Sequence, residues 1–123
     1  MSHLELVRAF IGAWEARDLE GILARLTPNA FYHNVGTAPA IGAQAIRGLI
    51  EGFLGGAEKV EWTVHHIAET PSGAVLTERT DVFVMGGKPL TIPVMGVFEF
   101  EGDLISSWRD YFDLPGFQAQ MAG

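Results

Sequence analysis

The chain reads as an α+β protein in which a curved, mostly antiparallel sheet wraps around about three N-terminal helices. Up to residue 54 apolar residues recur at helical spacing; from Glu58 onward they alternate with polar ones, the period-two pattern of strands. Three helices cannot cover both faces of so long a strand region. The sheet is therefore expected to curl round them and leave an apolar pocket between.

Ser2 with Glu5 three residues later forms a capping box, after which Leu4, Val7, Phe10, Ile11 and Trp14 fall on one helical face. Asp18 can cap a second helix running through Leu26, which Thr27-Pro28-Asn29 ends. Residues 30–34 read as a short strand, followed by a loop to Gly42. A third helix over residues 43–54 presents Ile46, Leu49, Ile50 and Phe53. Val60, Trp62 and Val64 then alternate with Glu61, Thr63 and His65. Pro71-Ser72-Gly73 turns into a strand over 74–85, Gly86-Gly87 marks a hairpin, and a strand follows over 90–101. Gly102-Asp103 turns into a last strand over 104–113, and a short helix or tail begins after Pro115.

The 123 residues suit one domain, 1–123, with 48% hydrophobic and 19% charged residues. A net charge of −7 argues against nucleic acid or an anionic membrane as partner. The absence of Cys removes disulfides and thiolate chemistry. There is no signal-peptide pattern, and no apolar run approaches the roughly 20 residues a membrane span needs. A cytoplasmic protein is the expectation.

Charge in an apolar setting points to the chemistry. Alternation along a strand sets Val75, Arg79, Asp81, Phe83 and Met85 on one face, and Leu104, Trp108, Asp110 and Phe112 on another. A buried charge costs several kcal/mol or more unless paired, neutralised or used. In a four-stranded meander both strands flank 90–101, so their in-facing groups stand roughly 10 Å apart at the backbone, within reach of an Arg side chain. One Arg shared by two carboxyls can hold one ionised while the other keeps a proton, supplying base and acid together. Tyr32 and Asn34 share a face of the early strand and add hydrogen-bonding groups. Trp108, Phe112, Phe83, Ile92 and Val94, with Phe53 and Phe117, form the expected apolar wall for a small lipophilic ligand.

Val75-Leu76-Thr77-Glu78-Arg79-Thr80-Asp81, Gly96-Val97-Phe98, Trp108-Arg109-Asp110-Tyr111-Phe112-Asp113 and Tyr32-His33-Asn34 together resemble limonene-1,2-epoxide hydrolases. These sit in the superfamily of cone-shaped folds that includes nuclear transport factor 2, SnoaL-like polyketide cyclases and ketosteroid isomerase. The resemblance implies one-step hydrolysis of an epoxide without a covalent intermediate, metal or cofactor. Asp110 would be the general base on a water held by Tyr32 and Asn34. Asp81 would protonate the epoxide oxygen, and Arg79 would bridge the two acids. Family members carry a segment ahead of the first helix, whereas here that helix starts at Ser2; the implied pocket mouth is more open.

Other readings stand beside this one. The charged trio could be an ion-pair network that only pins strand register, within a non-catalytic ligand-binding module. An isomerase or cyclase would need one carboxylate base and a neutral oxyanion donor, and an Arg paired to both acids would spoil that base. His65 and His66, as strand neighbours, are expected on opposite faces, unable to chelate one metal together. His33 is expected opposite Tyr32 and Asn34, away from the site. Asp113 is expected to cap the C-terminal segment. The outer sheet face, with Met95, Val97 and Ile105, suggests a homodimer.

Overall fold

The computed structural model describes residues 1–123. Two helices, α1 (His3–Glu15) and α2 (Leu19–Leu23), lead into β1 (Leu26–Asn34) and the two-residue β2 (Ala40–Ile41). Helix α3 (Ala43–Gly55) follows, then four long strands: β3 (Lys59–Glu69), β4 (Val75–Met85), β5 (Lys88–Glu101) and β6 (Leu104–Phe112). Helix α4 (Leu114–Ala122) closes the chain. The strands form one curved, mixed sheet in the order β2-β1-β6-β5-β4-β3. Every neighbouring pair is antiparallel except β1 and β6, which run parallel.

The capping box at Ser2 and Glu5 is formed in both directions, and Asp18 accepts a bond from the Gly21 amide to start α2. Val7, Phe10, Ile11 and Trp14 of α1 then bury against the sheet's concave face, joined by Ile46 and Ile50 of α3. On the facing strands Val60, Trp62, Val75, Phe83, Ile92, Val94, Phe98 and Trp108 close the core. Leu49 remains 36% exposed because its side of α3 borders a cavity instead of the packed interior.

Four expectations need correction. Helix α2 stops at Leu23, and Leu26 already belongs to β1, so Thr27-Pro28-Asn29 lies inside a strand. The β1–β6 register slips between Leu26 and Phe31, where Pro28 has no N–H to donate. The short strand β2 was hidden in the expected loop, too brief to show a period.

Near the start of β6, Glu99 faces Ser107 while the next residue, Phe100, faces Ile105; Ser106 is extra. This bulge reverses the alternation. Ile105 is therefore buried in the core and Leu104 only half-buried, so Ile105 leaves the proposed dimer face. A second irregularity at His65 separates the Val64–Arg79 pair from His66–Glu78. Both histidines are exposed and lean on outward residues of β4, His65 Nε2 at 2.7 Å from Thr80 Oγ1 and His66 Nε2 at 3.8 Å from Glu78 Oε1. They do not face opposite sides.

Candidate active site

The sheet order sets the site. Strand β5 separates β4 from β6, so the side chains of Arg79 and Asp81 meet Asp110 across it. The parallel β1–β6 pairing then sets Tyr32 beside Trp108 and Asn34 beside Asp110. Four strands thus converge at one end of a cavity of about 390 Å³, in the range expected for a small-molecule pocket.

Arg79 is 1% exposed, Asp81 3% and Asp110 5%. Arg79 donates from Nε to Asp81 Oδ1 at 3.0 Å and from Nη2 to Asp81 Oδ2 at 2.9 Å, a two-bond fork. The same Nη2 lies 3.2 Å from Asp110 Oδ1. Trp108 Nε1 donates to that oxygen at 3.0 Å. Asp110 Oδ2 makes no hydrogen bond within the chain, and Asp110 lines the cavity. The guanidinium also lies over the Trp62 ring, 4.6 Å from its centroid.

Two buried acids share one buried cation. Burial pushes Asp81 up to about 6 against the pull of Arg79. Burial also raises Asp110, again opposed by Arg79 and by the Trp108 hydrogen bond. Because the groups interact, their titration belongs to the pair. Burial disfavours the charge on Arg79, but Asp110 and Asp81 outweigh it and hold the guanidinium protonated. Tyr32, raised by burial and by the charge of Asp110, remains a neutral phenol able to donate.

The cavity wall includes Phe53, Phe83, Ile92, Val94, Phe112 and Phe117, as expected, with Tyr32, Asn34, Asp81 and Asp110 as its polar end. Trp108 is not on the wall. It lies behind Tyr32, with ring centroids 3.7 Å apart and planes within 7°, and its indole N–H orients Asp110. The bulk that suggested a ligand wall serves as a backing plate. Residues not anticipated on the wall include Trp62, Leu49 and Leu114, and Trp14 touches both core and cavity.

Thr77 was also missed. It is 1% exposed, accepts from Arg79 Nη1 at 3.0 Å and donates to the Gly96 carbonyl at 3.3 Å. Its position two residues before Arg79 on the same strand face was the available signal.

The remaining groups lie elsewhere. Asp113 caps α4 by accepting from the Gly116 amide at 3.1 Å. The far end of α4 is tied to β5 through Gln120, whose side-chain amide exchanges two bonds with the backbone of Thr91. His33 is half-buried and points its ring toward the Thr37 carbonyl, away from the acids. No cluster of three or more His, Cys, Asp or Glu is placed to hold a metal ion, and no helix is long and apolar enough to cross a membrane.

A curved sheet over helices, with an acid–Arg–acid trio at the polar end of an apolar cavity, makes an α+β protein whose fold is that of NTF2-like and SnoaL-like structures. A family model of the limonene-1,2-epoxide hydrolase catalytic domain matches residues 1–122, and the chain belongs to that family. It is 35% identical over 108 residues to epoxide hydrolase EphG of Mycobacterium tuberculosis (strain ATCC 25618 / H37Rv), covering 88% of this chain and 71% of that protein. A solved structure of an M. tuberculosis LEH-like epoxide hydrolase superposes with TM-score 0.84 at 32% identity, over 98% of this chain and 89% of that one. A SnoaL-like protein from Shewanella denitrificans OS-217 superposes with TM-score 0.86 at 14% identity, over 98% and 96% of the two chains. That likeness concerns the fold alone.

Proposed function

We propose that this chain hydrolyses a small lipophilic epoxide to a vicinal diol in one acid–base step. The observation that carries the reading is Nη2 of Arg79 standing between Asp81 Oδ2 and Asp110 Oδ1 at the end of an apolar cavity. Water, held by Tyr32 and Asn34, gives a proton to Asp110 as its oxygen attacks a ring carbon. The C–O bond breaks, and the leaving oxygen takes a proton from Asp81. Return of the proton from Asp110 to Asp81 restores the pair. Attack and leaving-group protonation occur together, and ring strain supplies the driving force, so the scheme calls on no cofactor.

The fork from Arg79 favours a charged Asp81, whereas the reaction needs the pair's proton there. Water against the free Oδ2 of Asp110 and an ether oxygen against Asp81 would draw that proton across. The short separation through Nη2 makes this transfer local.

Purified protein is expected to convert limonene oxide or cyclohexene oxide to diols without added metal. In heavy-oxygen water a single turnover should place the label directly in the diol. Label appearing first in a protein carboxylate would require a covalent route instead. We further propose a homodimer packed through the outer face of β4–β6, where Leu76, Met95 and Tyr111 are 38%, 51% and 46% exposed. Light scattering would show a monomer if this is wrong.

A further inference from the structure

We propose that Gly96 and Thr77 are positioning residues that decide which of the two acids receives the fork of Arg79. The consequence for catalysis rests on the hydrolase reading above; the placement of the groups does not.

Gly96 lies on β5 between the strands that carry the trio, paired to Thr77 on one side and Asp110 on the other. Its neighbours two residues away, Val94 and Phe98, are both buried, so a side chain at 96 would point into the site. A Cβ there would stand 2.7 Å from Asp110 Oδ1 and 3.0 Å from Thr77 Oγ1, and would overlap Arg79 Nη1. Gly96 is not one of the glycines with positive φ, so its backbone does not demand glycine. The empty space does: Arg79 and Asp110 meet over a residue that has no side chain.

Thr77 settles the orientation. Its hydroxyl proton is directed at the Gly96 carbonyl, which leaves a lone pair to accept from Arg79 Nη1. With Nη1 anchored there, the carboxyls are left the Nε–Nη2 edge of a rigid, planar donor set. Asp81 takes both bonds of that edge and Asp110 shares only Nη2. Asp110 Oδ2 is thereby kept free for water. Release of Nη1 would let the guanidinium tilt toward Asp110 and occupy the base.

The three nearest atoms a Cβ at 96 would meet are side-chain atoms of the trio's network, so Gly96→Ala must displace those groups. The test compares Gly96→Ala, Thr77→Val and Thr77→Ser with the unaltered protein. Carboxyl carbon resonances of labelled aspartates are followed against pH without substrate, and assigned with Asp81→Asn and Asp110→Asn. The kinetic arm measures kcat and KM for cyclohexene oxide across pH. Gly96→Ala and Thr77→Val should shift the midpoints of the pair by about one pH unit or more, with kcat down about 10²-fold and KM nearly unchanged. Thr77→Ser, which keeps the hydroxyl, should restore both.

Wild-type titration in both Gly96→Ala and Thr77→Val overturns the proposal. So does a Thr77→Ser variant as impaired as Thr77→Val, since the hydroxyl would then not be what holds the guanidinium. Should Gly96→Ala fail to fold, the Thr77 pair decides by the same criterion. If the unaltered protein opens no epoxide, the hydrolase reading falls, while the resonance midpoints still decide the positioning role.

Discussion

Arg79 and Asp81 sit two residues apart on one strand and are joined by two hydrogen bonds, 3.0 and 2.9 Å long, inside the protein. Removing Arg79 would leave two buried carboxyls without their cation, at a cost of about 3–5 kcal/mol in comparable pairs. Such a pair is poor evidence of stabilisation over an apolar alternative. Its retention beside a second buried acid fits use in chemistry better than use as a strut.

Asp110→Asn keeps the shape of the side chain and can still meet Trp108, but cannot accept a proton from water. Diol formation should fall by about 10²–10⁴-fold, while the unfolding midpoint stays near that of the unaltered protein. A fully active variant would refute the base assignment.

The rate should depend on pH in a bell. The scheme requires one proton on the pair, so activity falls in acid when both carboxyls are protonated and falls in alkali when both are ionised. Burial raises Asp81 to about 6 and moves Asp110 in the same direction, so the bell should lie above the usual carboxylate range. A profile of kcat/KM flat from weak acid to alkali would contradict shared protonation.

Stability should show the same pair with a definite sign. Burial pushes Asp81 up from its ordinary 3.8 to about 6 and Asp110 in the same direction, so the folded protein binds the pair's proton more tightly than the unfolded chain. The contribution is present in full below the lower value and is lost as pH rises through the upper one, at most about 3 kcal/mol. Urea unfolding of the unaltered protein, compared with Asp81→Asn across that window, should give a difference that shrinks as pH rises. A difference that grows with pH would reverse the inferred direction.

Helix α4 closes one side of the cavity through Leu114 and Phe117, although none of its residues is fully buried. Asp113→Ala removes its N-terminal cap, worth about 1 kcal/mol. KM for a lipophilic epoxide should rise several-fold with little change in kcat, because the Asp113 carboxylate bonds the α4 backbone at Gly116 and not the acids. An equal loss in kcat alone would argue that α4 reaches the chemistry directly.

Much of this was legible in one dimension. The capping box, the Asp18 and Asp113 caps, the change of period at Glu58 and the Gly-rich turns are local signals, carried by neighbours within a few residues. Arg79, Asp81 and Asp110 stood out because alternation placed charge on apolar faces. The bulges at Ser106 and His65 were not legible: one inserted residue reverses a face and leaves no mark in composition. That is why Ile105 and the two histidines were misplaced.

The sequence by itself determined the first and third helices, the alternation along most of β4 and β5, and which charges would need a partner, since these follow from short-range sterics and hydrophobic period. Only the tertiary structure decided that Trp108 backs the site, that Thr77 and Gly96 shape the space around the guanidinium, and that Tyr32 and Asn34 reach Asp110 through a parallel strand pair. Those relations depend on strand order and register between distant segments, Tyr32 pairing with Trp108 and Asn34 with Asp110, each 76 residues apart in number. Local preference carries no information about such distances; packing of the whole sheet around its helices does.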